Sequence, residues 1–301
     1  MIAIYVAWGS TYLAIRFADV TIPPFLMAGT RFLTAGLIML VFRLLAGDPF
    51  PRRIEARSAA IAGLFLLLGG NGGVVWAEQT VPSGLAALMV SSSPLWMLLM
   101  DALRPNGHKP SLRAIGGVVV GFAGVAVLFW PAGSGGLLQM SPWGAGVLIF
   151  ATLAWAAGSI YSRNSPQPEA PMMASAVEML AGGTALMFLA AMTGEFGRFH
   201  LAAVSTPSLL GLAYLIIFGS LVGFSAYTWL LQVAPISLVS TYAYVNPLVA
   251  LVIGSMIGHE DVSPRTLLAA AVILASVALT TTSPFTAAHQ TGTHHEENTI
   301  G

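Results

Sequence analysis

The chain has 301 residues, of which 56% are apolar and 8% charged, and its basic and acidic residues balance to a formal net charge of zero. Soluble domains carry about 25% charged residues, so this is a membrane protein, and the neutral balance leaves no basic face for nucleic acid. Cysteine is absent, which removes disulfides and thiolate chemistry, and at about 20 apolar residues per crossing about ten helical spans use nearly the whole length.

The first apolar stretch starts at the N-terminus without a basic leader or a small-residue cleavage site, and is read as a span, not a signal peptide. Spans are expected near residues 2–18, 25–46, 58–79, 82–103 and 112–130, then near 141–161, 171–193, 207–231, 235–257 and 264–282. Prolines and charges punctuate the gaps, among them Pro23-Pro24, Asp48-Pro49, Pro105, Pro110, Pro131, Pro166, Pro168, Pro171 and Pro207. Residues 284–301 are polar and aperiodic, and a disordered tail is expected there.

Trp8 in the first span and Trp155 in the sixth fall well inside, whereas an interface tryptophan sits at a span's end. Both are candidates for lining a cavity, with lipid contact or core packing as the plainer alternative. Trp76 and Trp229 lie near opposite ends of their spans and read as belt anchors. Arg31 and Glu178 are the deepest charges, each seven residues past a proline and so about 10 Å into the bilayer, from opposite faces. A direct pair between them is not expected; intramembrane charge is a functional candidate by default, against snorkelling or a structural hydrogen bond. Asn71, Ser91, Ser92, Tyr242, Tyr244 and Asn246 offer uncharged donors and acceptors at middle depth. Their plainer use is helix-to-helix hydrogen bonding, worth about 0.6 kcal/mol each in membranes. Glu78, near the outer end of its span, is placed at the cavity mouth.

The chain is written twice. Residues 76–94 and 229–247 align at a shift of 153, with Trp76/Trp229, Gln79/Gln232, Pro82/Pro235, Leu85/Leu238 and Pro94/Pro247 in register. A shift of 147 pairs Trp8 with Trp155, Arg16 with Arg163, Pro24 with Pro171 and Gly36 with Gly183. The repeats are thus residues 1–130 and 131–283, five spans each. Five is odd, so the second repeat enters the membrane inverted, as in many secondary transporters. Mid-span prolines weaken a helix, which makes Pro94 and Pro247 candidate hinges. Gly117/Gly121 and Ala271/Ala275 carry small-xxx-small spacing at duplicated positions, so the fifth and tenth spans are expected to pack together. Basic residues gather on the side shared by both termini, which places the termini in the cytoplasm.

Metal and catalytic readings fare poorly, because all six histidines, at 108, 200, 259, 289, 294 and 295, fall in expected loops or the tail. His294-His295-Glu296 is at most an incidental metal site. The glycines at 69–73 lack the Gly-Lys-Ser/Thr ending of a phosphate loop. No cofactor and no enzymatic activity are expected.

Trp8-Gly9-Ser10, Leu33 after Arg31-Phe32, Ala86-Ala87 before Pro94, Tyr244-Val245-Asn246-Pro247 and Gly258-His259-Glu260 together resemble the drug/metabolite transporter superfamily. The similarity is to its EamA-type ten-helix permeases, and within them to YddG-like amino-acid exporters. Asp101-Ala102-Leu103-Arg104 stands where the first-half counterpart of Gly258-Glu260 would be, a departure from symmetry. The resemblance implies an all-α membrane fold with a central cavity framed by the first, third, fourth, sixth, eighth and ninth spans. Thr11, Ser159 and Tyr227 on those spans complete the candidate substrate-binding set. It also implies export of amino acids or similar small metabolites across the inner membrane by alternating access. Another metabolite or a drug is the alternative cargo, and a channel the alternative class. A monomer is expected, with a dimer as the alternative.

Overall fold

A computed structural model describes residues 1–104, 111–129, 141–234, 239, 242–257 and 263–281, and among these every regular element is helical. The first half holds α1 (Ile2–Ala18), α2 (Pro24–Leu45), α3 (Arg53–Ala77), α4 (Ser83–Ala102) and α5 (Leu112–Phe129). The second holds α6 (Pro142–Asn164), α7 (Pro171–Met192), α8 (Thr206–Val233), α9 (Tyr242–Met256) and α10 (Pro264–Thr281). Among the described residues α2, α3, α4, α6, α7 and α8 are long and apolar enough to cross a membrane. The expectations for the tail, for the turns at Pro131 and Gly258, and for Pro105, Pro110 and Pro235 lie outside the described residues.

Proline sets several starts. Pro24, Pro142 and Pro171 stand at first helical positions, where the missing N–H has no partner to lose. The third helix starts at Arg53, five residues before the expected apolar edge. The Arg52 N–H donates to Glu55 Oε2 at 2.9 Å, so a charged first turn extends the helix beyond its apolar stretch. Glycine closes α2 and α7: Gly47 and Gly194 have φ of 90° and 71°, the left-handed region that ends helices. They stand 147 residues apart, the same shift that pairs Trp8 with Trp155.

The interiors of α3 and α8 are wound as π-helix over Leu64–Asn71 and Leu215–Phe224. Such widened turns are rare and gather at functional sites. The two candidate hinge prolines differ. Before Pro94, α4 breaks between Ser83–Val90 and Ser93–Ala102, whereas α9 runs on through Pro247.

The helices pack in corresponding pairs: α2 with α7, α5 with α10, α1 with α9 and α4 with α6, α3 with α6 and α1 with α8, α3 with α7 and α2 with α8. Glycines allow the closest approaches. A Cβ at Gly36 would lie 3.0 Å from Leu180 Cγ, and one at Gly183 would lie 2.8 Å from the Leu33 nitrogen. The packing of α5 on α10 is as expected, but the surface used on α10 is not. Ala271 and Ala275 are exposed; Gly121 and Gly124 instead face Ser276 and Ile273, at 2.6 and 2.9 Å from their would-be Cβ atoms. Spacing identifies small residues without saying which stripe of the helix turns inward.

Loop contacts define two ends of the bundle. At one, Gln79 Nε2 donates to Asp19 Oδ2 at 2.8 Å and Ser208 Oγ to the Phe17 carbonyl at 2.9 Å. At this Asp19 end the buried Glu195 also caps α2, accepting from the N–H groups of Leu26 and Phe25 at 2.8 and 3.4 Å. At the other end, Arg104 Nη2 donates to Asn164 Oδ1 at 3.0 Å and Arg163 Nη1 to the Ala234 carbonyl at 3.3 Å.

Candidate functional site

A cavity opens in the half of the bundle nearer the Asp19 end. Its empty volume is about 630 Å³, open solvent at the mouth included. Trp8 and Thr11 from α1, Arg31 from α2, Asn71 from α3, Trp155 from α6 and Asn246 from α9 stand on its wall. The helices expected to frame it do so, and α2 joins them through Arg31 and Phe32.

The floor is aromatic. Trp8 and Trp155, the duplicated tryptophans, meet edge to face with ring centres 5.4 Å apart. Tyr227 lies 5.0 Å from Trp8 and 5.2 Å from Trp155, and Tyr242 lies 5.4 Å from Trp8. Each tryptophan rests on a glycine in a π-helical stretch of the opposite half. A Cβ at Gly223 would come 2.5 Å from Trp8 Nε1, and one at Gly70 would come 2.9 Å from Trp155 Cε3. Those glycines are 153 residues apart. The Trp8 indole donates to the Gly219 carbonyl at 3.1 Å, and the Trp155 indole to Tyr227 Oη at 3.1 Å.

Beneath the floor, towards the Arg163 end, the polar groups bond to one another. Ser159 Oγ and Tyr227 Oη are 2.7 Å apart. The buried Glu178 accepts from Thr228 Oγ1 at 3.0 Å and Ser162 Oγ at 3.3 Å. On the cavity side its duplicate, Arg31, donates through Nε to Ser220 Oγ at 2.7 Å. Arg31 and Glu178 thus reach different points of α8 and do not pair with each other.

Of the residues singled out in the sequence, Trp8, Thr11, Asn71, Trp155 and Asn246 stand on the wall, and Ser159, Tyr227 and Tyr242 support the floor. Asn246 is also a structural tie: with its amide turned so that the nitrogen faces them, it donates to the Tyr242 and Tyr5 carbonyls at 3.2 and 3.3 Å. Ser91 and Ser92 do not reach the cavity. Their hydroxyls donate to the Leu88 and Met89 carbonyls at 2.6 and 2.7 Å, satisfying backbone acceptors where α4 breaks. Glu78 is buried at the end of α3 and is not on the wall. The Tyr244 side chain lies outside the described residues. Of the expected belt anchors, Trp229 is exposed while Trp76 packs partly buried against the core. Gly219 and Gly223 carry small-xxx-small spacing in the sequence, but the seat for Trp8 at Gly223, its partner at Gly70 and the role of Ser220 were not read from it; the 153-residue spacing of Gly70 and Gly223 was the available signal.

Residues 1–130 and 142–282 match the model of the EamA-like transporter family. The chain is 41% identical over 283 residues to YedA, an uncharacterized inner membrane transporter of Escherichia coli K12, with 93% of this chain and 89% of YedA covered. It is 26% identical over 283 residues to a chloroplastic WAT1-related protein of Arabidopsis thaliana, covering 93% of this chain and 68% of that protein. A crystal structure at 19% identity superposes with a TM-score of 0.67, over 93% of this chain and 95% of the other. That likeness bears on the fold alone.

Proposed function

This chain belongs to the EamA-like transporter family, and from that premise we propose that it is a multi-pass inner-membrane carrier exporting amino acids or similar small metabolites by alternating access. The observation that carries the reading is the difference between its two ends. The cavity occupies the half nearer the Asp19 end, while towards the Arg163 end Glu178, Ser162 and Thr228 are buried and bonded to one another. One accessible side and one sealed side are what a carrier presents in a single state.

Two inverted repeats of five spans, over residues 1–130 and 131–283, supply the means of exchange. The packing pairs support this, since replacing each helix by the one five places on turns α1–α9 into α6–α4 and α3–α7 into α8–α2. So do the paired π-helical stretches, the paired terminating glycines and the paired tryptophan seats. In this reading both termini are cytoplasmic, the Asp19 end faces outward, and Pro94 and Pro247 mark helices that move. The chemistry is transport without a cofactor or a covalent step, by a monomeric unit.

Reconstitution in liposomes tests the proposal. Saturable, temperature-dependent counterflow of at least one amino acid or related metabolite is expected. A conductance that does not saturate would instead make the protein a channel, and counterflow confined to lipophilic drugs would change the cargo.

A further inference from the structure

Arg31 is 2% exposed, and its guanidinium forms no ion pair among the described residues. Nε is committed to Ser220 Oγ at 2.7 Å, and the face of Phe32 lies 4.6 Å from the guanidinium carbon. Nη1 is buried without an acceptor. Room for the group is made by Gly219, where a Cβ would lie 2.6 Å from Nη2. A buried cation without a counter-charge is costly, and a hydroxyl and an aromatic face offset that only in part. The nearest acid by sequence duplication, Glu178, is held by Ser162 and Thr228.

Asn71 is the complementary case. It ends the π-helical stretch of α3, and its Oδ1 is a buried acceptor without a donor. Both residues stand on the wall of the same cavity. The cavity lining thus carries an unmet cationic donor and an unmet neutral acceptor above an aromatic floor. A carboxylate answers the first, since the guanidinium fork matches its geometry. A neighbouring ammonium or hydroxyl answers the second.

We infer that Arg31 and Asn71 form the recognition point of the cavity, Arg31 taking the carboxylate and Asn71 the adjacent donor of an α-amino or α-hydroxy acid. This rests on the carrier reading above and narrows it to cargo with a free carboxylate. Amines, nucleosides and neutral drugs leave the guanidinium unpaired and are rejected on that ground.

The test uses the full chain in liposomes, with each of the twenty L-amino acids, its methyl ester, a nucleoside and a primary amine without a carboxylate competing in counterflow. The ester keeps the side chain and the amine but removes the negative charge. For any amino acid that competes, the wild type should prefer the acid by about tenfold or more. Arg31→Gln should bring acid and ester within about threefold, and Arg31→Lys should keep part of the preference. Ser220→Ala removes the support but not the charge, and should keep the preference; this separates recognition from the tie between α2 and α8. If Arg31→Gln does not fold, the wild-type comparison and Arg31→Lys decide. An ester that competes as well as its acid in the wild type, or a preference that survives Arg31→Gln, overturns the inference. Counterflow carried only by a nucleoside or an amine overturns it while leaving the carrier reading intact. Failure of every probe to show saturable exchange overturns both.

Discussion

Gly223→Ala puts a methyl group where the Trp8 ring stands. The new Cβ would lie 2.5 Å from Trp8 Nε1 and 2.7 Å from Cδ1, about 1 Å inside ordinary carbon contact. The ring cannot slide away freely, because it is bonded to the Gly219 carbonyl at 3.1 Å and flanked by Trp155, Tyr227 and Tyr242 at 5.4, 5.0 and 5.4 Å. Overpacking of this kind costs about 1–3 kcal/mol, and the better helix tendency of alanine returns about 0.5–1 kcal/mol. A net loss of about 1–2 kcal/mol is therefore expected, with a larger loss of counterflow because the displaced ring is cavity wall. Gly146→Ala is the control: the position is exposed on α6 and a Cβ there meets nothing within 4 Å. It should stabilise slightly and leave transport unchanged. Melting in detergent and counterflow in liposomes measure the two effects side by side. If Gly223→Ala melts with Gly146→Ala and transports like the wild type, Trp8 is not seated on Gly223 and the description of the floor is wrong.

Ser162→Ala combined with Thr228→Val removes both donors to Glu178 and should cost about 1–3 kcal/mol, while raising reagent access from the Arg163 end; unchanged access would show that these bonds do not close it. Glu195→Ala strips the side-chain cap from α2 and should lower stability by about 1 kcal/mol with counterflow nearly intact, whereas a loss of transport alone would assign Glu195 a different role. Pro94→Ala and Pro247→Ala, made separately, should shift cavity access in opposite directions if the two halves are inverted as proposed, since inversion exchanges inside for outside. Shifts in the same direction would make these prolines packing features.

Much of the arrangement was legible because it depends on spacing. The tryptophans at 8 and 155 lie too deep for an interface belt, and they meet at the cavity floor. The duplicated glycines at 36 and 183 both lie where α2 and α7 touch. What could not be read depends on where a hydrogen bond goes. Ser91 and Ser92 have the right depth for a substrate site, yet their hydroxyls turn back onto the Leu88 and Met89 carbonyls three residues earlier. Ala271 and Ala275 have the right spacing for packing, but a single apolar helix does not show which stripe turns inward. The π-helical stretches are invisible to hydropathy, since adding a residue to a uniformly apolar turn changes no pattern. Glu195 lay outside every expected span, and only the approach of two chain segments reveals it as a cap.

The central claim, that a single site is open on one side at a time, is tested most directly by labelling Thr11→Cys and Ser162→Cys in this cysteine-free chain. Thr11 stands on the cavity wall and Ser162 within the sealed layer, where a cysteine thiol can still donate to Glu178. With an impermeant maleimide, the account predicts that Thr11→Cys is reached from outside and Ser162→Cys only from inside. A substrate gradient should raise one as it lowers the other. Labelling of both from the same side under one condition, or of either without response to substrate, would contradict alternating access.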